Sequence, residues 1–132
     1  MPVFIDTSAF CALINAKDVN HDAASGAWQV LGEQGEMLCT SNYVLVETIA
    51  VLTRQLGLEA LRDFHIRFVP VLEVHWIDEP IHRLAMAALL TAGRRQLSLV
   101  DCTSFEVMRR LGLETAFVFD PHFGEQGFSC IP

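Results

Sequence analysis

The sequence predicts an α/β fold of three layers, with a central, mainly parallel sheet flanked by helices. Three observations carry this expectation. Short apolar runs such as Val3-Phe4-Ile5 and Ala116-Phe117-Val118-Phe119 are of strand length. Longer stretches between them read as helices, opened by capping residues and closed by Gly57, Gly93 and Gly112. Strands separated by helices imply a parallel sheet covered on both faces.

In chain order, residues 2–6 form a buried strand ended by a turn-type acid. Asp6, Thr7 or Ser8 then caps a helix over 7–16. A second helix spans 20–32, opened by Asn20 and closed near Gly32 or Gly35, and Met37–Thr40 is a short strand. Ser41 or Asn42 caps a helix from Tyr43 to about Leu56, stopped by Gly57. Leu58 to about Phe68 is a further helix, ended before Pro70, and Val71–Ile77 alternates as a strand. Asp78-Glu79-Pro80 starts a helix that runs to Ala92, with Pro near its first position and acids in its first turn. Leu99–Leu111 is another helix, Thr115–Phe119 a strand, and Phe128–Ile131 a last short strand.

The 132 residues, 52% hydrophobic and 19% charged, suit one folded domain over 1–132. No stretch of ~20 uncharged apolar residues suggests a membrane span, and the N-terminus lacks the basic region of a leader. Cys11, Cys39, Cys102 and Cys130 form no C-x-x-C pair and lie among apolar residues. They read as buried free thiols, which fits a reducing cytoplasm. A net charge of −7 argues against passive nucleic-acid binding through a basic surface. Bound divalent cations would weaken that argument.

Asp6, Glu47, Asp101 and Asp120 stand where such a fold gathers a ligand. In open parallel sheets the ligand lies beyond the carboxyl ends of the strands. Asp6 and Asp120 fall at such ends, and Asp101 falls in a helix's first turn. Each aspartate also has a structural use. Asp6 can cap a helix, Ser98-Leu99-Val100-Asp101 has capping-box spacing, and Asp120 before Pro121 suits a turn. Glu47 has no such use. It lies mid-helix, with Tyr43, Val44, Ala50 and Val51 on its face and no Lys or Arg in reach. An uncompensated carboxylate there is costly, and a divalent cation is the simplest compensation.

Thr7, Ser8 and Ser98 are placed to hydrogen-bond these carboxylates or a water beside a metal. The five histidines show no zinc-type spacing, and His122 lies two residues beyond Asp120. Oxygen ligands in excess favour Mg²⁺ or Mn²⁺ over Zn²⁺. Arg94 and Arg95 either grip a phosphate or form a solvated helix end.

Together, Phe4-Ile5-Asp6-Thr7-Ser8-Ala9, Val46-Glu47-Thr48, Leu97-Ser98-Leu99-Val100-Asp101-Cys102 and Phe119-Asp120-Pro121-His122-Phe123 resemble the PIN-domain family and, within it, VapC-type toxins. The resemblance spans essentially the whole chain. It implies an acidic pocket of Asp6, Glu47, Asp101 and Asp120. It also implies a Mg²⁺-dependent endoribonuclease, commonly a homodimer, inhibited by a small antitoxin. The expected chemistry is attack on phosphorus by metal-activated water, leaving 5′-phosphate ends. Asp6 and Asp101 are expected as direct ligands, with Glu47 and Asp120 completing the site. Some family members carry a further acid one turn after the third; here Ser104 and Phe105 occupy that region, with Glu106 beyond. The alternative is a catalytically silent module of the same fold, acting through RNA or a protein partner. A haloacid-dehalogenase-like phosphohydrolase would want a second Asp two residues after the first, where Ser8 stands.

Overall fold

The computed structural model describes residues 1–132. Five strands form one parallel sheet: β1 (Val3–Ile5), β2 (Leu38–Ser41), β3 (Glu73–His75), β4 (Thr115–Phe117) and β5 (Ser129–Ile131). Their order is β3-β2-β1-β4-β5, so the three-layer α/β expectation holds and the sheet is wholly parallel. The register sets Phe4 beside Cys39 on one side and Ala116 on the other. Every residue of β1 is buried, as its unbroken apolar run required.

Seven α-helices connect the strands: α1 (Thr7–Ile14), α2 (His21–Glu33), α3 (Asn42–Leu56), α4 (Leu58–Asp63), α5 (Glu79–Ala92), α6 (Leu99–Leu111) and α7 (His122–Glu125). The right-handed crossovers of such sheets put α1–α4 on one face and α5–α7 on the other. The chain leaves β1 towards β2 and β3, then crosses back to β4 and β5. The strand order therefore reverses between β1 and β4, the place where open parallel sheets bind ligands beyond the carboxyl ends of their strands. Asp6 follows β1, and Asp120 lies just beyond β4. No helix is long and apolar enough to cross a membrane.

The departures from expectation have local causes. Helix α1 stops at Ile14 because Asn15 turns extended and donates its N–H back to Cys11. Strand β4 ends at Phe117 because the N–H of Phe119 goes to Ser8 Oγ, away from the ladder. Strand β3 is trimmed at both ends. Val71 closes a 3₁₀ turn entered through Pro70, and Asn42 Oδ1 captures the N–H of Ile77 at 2.6 Å. The helix expected from Leu58 to Phe68 is α-helical only to Asp63 and continues as a π-helical turn, Phe64–Phe68. That turn buries Phe64 and Phe68 against Phe10 and Trp28, with the Phe10 and Phe64 rings edge-on at 5.0 Å. Helix α7 was not expected. Gly57 and Gly112 take φ of 90° and 68° at helix ends, the left-handed region that favours glycine.

All four cysteines are free, but only Cys39 and Cys102 are buried. Cys11 is half-buried and Cys130 is exposed, which corrects the expectation of four buried thiols. The C-terminal strand β5 is an edge of the sheet, and Ser129 and Cys130 on it are exposed.

Candidate active site

The reversal point gathers the acids. Asp6 is 4% exposed and Asp101 6%, while Glu47 and Asp120 are half-buried. Burial pushes Asp6 up to about 6; hydrogen bonds from Ser8 pull it back, and the charges of Asp101 and Glu47 raise it further. Burial also raises Asp101, a backbone hydrogen bond from Ser98 opposes that rise, and the charge of Asp120 adds to it. Each of the four carboxylates thus lies within the electrostatic reach of another. Residues from the β1–α1 junction, α3, α6 and the β4–α7 turn, more than 110 positions apart at the extremes, converge here.

Each aspartate is tied through one oxygen. Asp6 Oδ2 accepts from Ser8 N–H at 3.1 Å and from Ser8 Oγ at 2.7 Å, capping α1. Asp101 Oδ2 accepts from Ser98 N–H at 3.1 Å, while Ser98 Oγ accepts from Asp101 N–H at 3.0 Å, the capping box predicted. Asp120 Oδ1 accepts from His122 N–H at 2.8 Å. The second oxygen of each has no hydrogen-bond partner in the chain. No side-chain polar atom is both buried and unpartnered. The free oxygens of Asp6 and Asp101 therefore touch solvent even though their residues are almost wholly buried.

Ser8 does more than cap. Its Oγ accepts from Phe119 N–H at 3.0 Å while donating to Asp6, so it joins the Asp6 carboxylate to the segment carrying Asp120. Thr7 differs from its expected role. Its hydroxyl is buried, donates to Val44 O at 3.4 Å and accepts from Thr48 Oγ1 at 3.2 Å, so it ties α1 to α3 and touches no acid.

Glu47 is only half-buried, which corrects the expectation of a carboxylate enclosed by apolar residues. Helix α3 turns an apolar stripe outwards: Val46 is 67% exposed, and Ile49 and Ala50 are exposed too. Glu47 therefore needs no cation to compensate burial. What links it to the site is its charge beside Asp6. In the region of a possible fifth acid, Ser104 is buried and donates to Val100 O at 2.8 Å, and Glu106 pairs with Arg110 at 3.1 Å.

Sequence reasoning missed a polar cluster on the Asp120 side. His122 is 8% exposed, and its Nδ1 lies 3.3 Å from Glu125 Oε2. Its Nε2 lies 3.9 Å from Asp120 Oδ1. Arg94, from the α5–α6 loop, donates to Glu125 Oε2 at 2.7 Å and approaches His122 Nδ1 at 3.5 Å. The hydrogen bond and charge of Arg94 hold the Glu125 carboxyl below its usual range. The His122–Glu125 pair had an i,i+3 signal once α7 is admitted, but nothing in the sequence linked Arg94 to it.

The donor set bears on a metal. No group of three or more His, Cys, Asp or Glu side chains is drawn together tightly enough to cage an ion. Mg²⁺ does not need such a cage: it is usually held by one or two carboxylates and keeps several waters. The solvent-facing oxygens of Asp6 and Asp101 fit that habit. A like-charged cluster with raised carboxyl groups is also what a cation would relieve.

The family model described as "PIN domain" matches residues 3–128. The chain is 36% identical over 127 residues to the "23S rRNA-specific endonuclease VapC20" of Mycobacterium tuberculosis, covering 96% of this chain and 95% of that protein. The crystal structure of that VapC20, described as a sarcin–ricin loop cleaving toxin, superposes with a TM-score of 0.84 at 35% identity, covering 96% of this chain and 95% of that one. VapBC2 from Rickettsia felis, solved with a DNA fragment from its promoter, has a TM-score of 0.72 at 14% identity over 98% of this chain and 97% of that one. That likeness is one of fold.

Proposed function

The chain belongs to the PIN-domain family, and within it to the VapC-type group; on that premise we propose that it is a Mg²⁺-dependent endoribonuclease, the toxin of a type II toxin–antitoxin pair. The observation that carries the reading is the pair of nearly buried aspartates, Asp6 and Asp101, each keeping one solvent-facing oxygen beside Glu47 and Asp120.

Asp6 and Asp101 would hold the cation, with Glu47 and Asp120 completing its surroundings or orienting waters; Mn²⁺ would serve as well. When bound, the cation supplies Lewis-acid neutralisation of phosphoryl charge and a more acidic water. The rest is positioning by the chain. Ser8 fixes the Asp6 carboxylate and its distance from the β4 end. Ser98 fixes the Asp101 rotamer. His122, held between Asp120 and Glu125, keeps the Asp120 turn in place. In-line attack by water would leave a 5′-phosphate and a 3′-hydroxyl. The similarity to a 23S rRNA-specific endonuclease makes large-subunit ribosomal RNA the first substrate to try.

Residues 1–132 would act as one catalytic domain in the cytoplasm, with a small antitoxin as inhibitor and a second copy as dimer partner. Exposed Ile49, Leu58 and Ile66 along α3, α4 and the π turn supply apolar surface for such contacts.

The test is cleavage of ribosomes and total RNA by antitoxin-free protein with Mg²⁺ or Mn²⁺. Controls are EDTA and the double variant Asp6→Asn, Asp101→Asn. Metal-dependent cutting by the wild type alone is expected. No cutting by folded protein would sink the nuclease reading in favour of a silent binding module. Cutting by the double variant would mean that the reaction lies elsewhere.

A further inference from the structure

A cleft of roughly 300 Å³ opens beside α3, lined by Asn42, Tyr43, Val46, Glu47, Ala50 and Val100. It shares Glu47 with the acidic site. Glu47 lines it and lies close enough for its charge to reach Asp6. Val100 directly precedes Asp101.

Apart from Glu47, the lining is apolar except at two points, and both are held. Asn42 commits its Oδ1 to the N–H of Ile77, so its side-chain orientation is set and its NH₂ hydrogens have no acceptor in the chain. The Tyr43 hydroxyl is hydrogen-bonded to His82 Nδ1, and the two rings meet edge-on with centroids 5.8 Å apart, which fixes the Tyr43 ring.

We propose that this cleft receives a nucleobase adjacent to the scissile phosphate, an inference that rests on the ribonuclease reading above. A phosphate is the wrong occupant, because the lining holds no cationic side chain and Glu47 is its one charged group. A base is neutral, planar and apolar on both faces, and it suits a slot walled by an aromatic ring and the methyl groups of Val46, Ala50 and Val100. Its edge carries ring nitrogens or carbonyls that the Asn42 amide can reach as donor, and amino groups that Glu47 can accept from. Because Glu47 belongs to both places, a base in the cleft would neighbour a phosphate at the acids. Sequence-specific RNA recognition usually reads splayed, unstacked bases. The cleft would therefore help to choose where the chain cuts.

The first experiment needs no catalysis. Methyl and aromatic NMR spectra of the full chain in EDTA are followed during titration with AMP, GMP, CMP and UMP, and with ribose 5-phosphate as a base-free control. The methyl signals of Val46, Ala50 and Val100 and the ring of Tyr43, the chain's one tyrosine, are expected to shift with at least one nucleotide and not with ribose 5-phosphate. Ala50→Leu, which adds bulk from an exposed helical position, is expected to abolish those shifts while the unfolding midpoint holds. Silence towards all four nucleotides at ~10 mM, a concentration that detects millimolar binding, would overturn the proposal. So would equal shifts with ribose 5-phosphate, or shifts that survive Ala50→Leu.

The second experiment uses the RNA that the protein cuts. Removing the base beside the cut is expected to lower kcat/KM about tenfold or more in the wild type, and to add nothing in Ala50→Leu. Additive losses would refute the assignment. Cutting without base-dependent shifts would overturn the cleft and leave the nuclease standing; shifts without cutting would do the reverse. A cleft silent to nucleotides but shielded by a bound protein would be a protein surface, which also refutes the base.

Discussion

Replacing Asp6 by Asn is expected to stabilise the metal-free protein at pH 8 while abolishing RNA cleavage. Burial holds Asp6 near 6, against 3.8 for an ordinary aspartate. Between those values the folded chain binds a proton that the unfolded chain has released, so stability falls as pH rises through this window. Above about pH 6 the loss is complete. At 1.36 kcal/mol per pKa unit, a rise of about two units makes the ionised group unfavourable by about 3 kcal/mol. Asn removes the charge but keeps an oxygen that can accept from Ser8, so the cap of α1 survives. The expected gain is about 2–3 kcal/mol in EDTA at pH 8, or roughly 5–12 °C in Tm for a chain of this size. Urea denaturation of both proteins at pH 8 and pH 4.5 measures it, and the gain is expected to shrink greatly at the lower pH. Saturating Mg²⁺ at a hundred times its Kd is expected to stabilise the wild type by about 2.7 kcal/mol and the variant far less. A variant no more stable than the wild type at pH 8, or a gain identical at the two pH values, would refute the reasoning.

Ser8→Ala removes both the donor to Asp6 and the acceptor for Phe119 N–H, and is expected to cost about 10–100-fold in Mg²⁺ affinity or activity, read by metal titration of the cleavage rate. Ser98→Ala breaks the capping box of α6 and is expected to destabilise by about 1 kcal/mol in a thermal melt; an unchanged Tm would show that the cap is dispensable. Phe123→Ala empties a fully buried position edge-on to Phe105 at 5.0 Å, next to His122, and is expected to cost about 3–5 kcal/mol in urea titration. Thr7→Val, which keeps the volume and removes a hydroxyl that contacts only Thr48 and the Val44 carbonyl, is expected to reduce stability through the unpartnered Thr48 and leave Mg²⁺ affinity unchanged. A fall in Mg²⁺ affinity would return Thr7 to the liganding machinery.

The fold was legible where one local signal dominated. Val3-Phe4-Ile5 had no apolar–polar alternation, and β1 is the fully buried central strand. Asp78 and Gly93 bracketed α5, and Ser98 and Gly112 bracketed α6, to the residue. Illegible features depended on partners far along the chain. Nothing near Phe119 announces that Ser8, 111 residues earlier, will take its N–H and end β4. Nothing near Ile77 announces Asn42. Glu47 shows the opposite failure. Its apolar neighbours looked like core, yet the stripe bearing Val46, Ile49 and Ala50 faces outwards, because an apolar run does not say which elements of the chain will pack against it.

For the three aspartates, structural and chemical uses looked like rivals in the sequence, and the structure shows that the first does not exclude the second. A carboxylate has two oxygens. Asp6, Asp101 and Asp120 each spend one on a backbone N–H at a helix start or turn. Those hydrogen bonds lock the side chain against rotation and aim the other oxygen outwards. A cap is thus an inexpensive way to preorganise a ligand, since ordering a free carboxylate would otherwise cost side-chain entropy when the cation binds. Glu47 lacks any such tether: no hydrogen bond in the chain ends on its carboxylate, and it projects from the middle of α3. On this reasoning Asp6 and Asp101 would define the position of a bound cation, and Glu47 would adapt to it. Glu47→Gln is therefore expected to weaken Mg²⁺ binding less than Asp6→Asn or Asp101→Asn, measured by calorimetric titration of the three variants. Equal losses in all three would show that tethering does not rank the ligands.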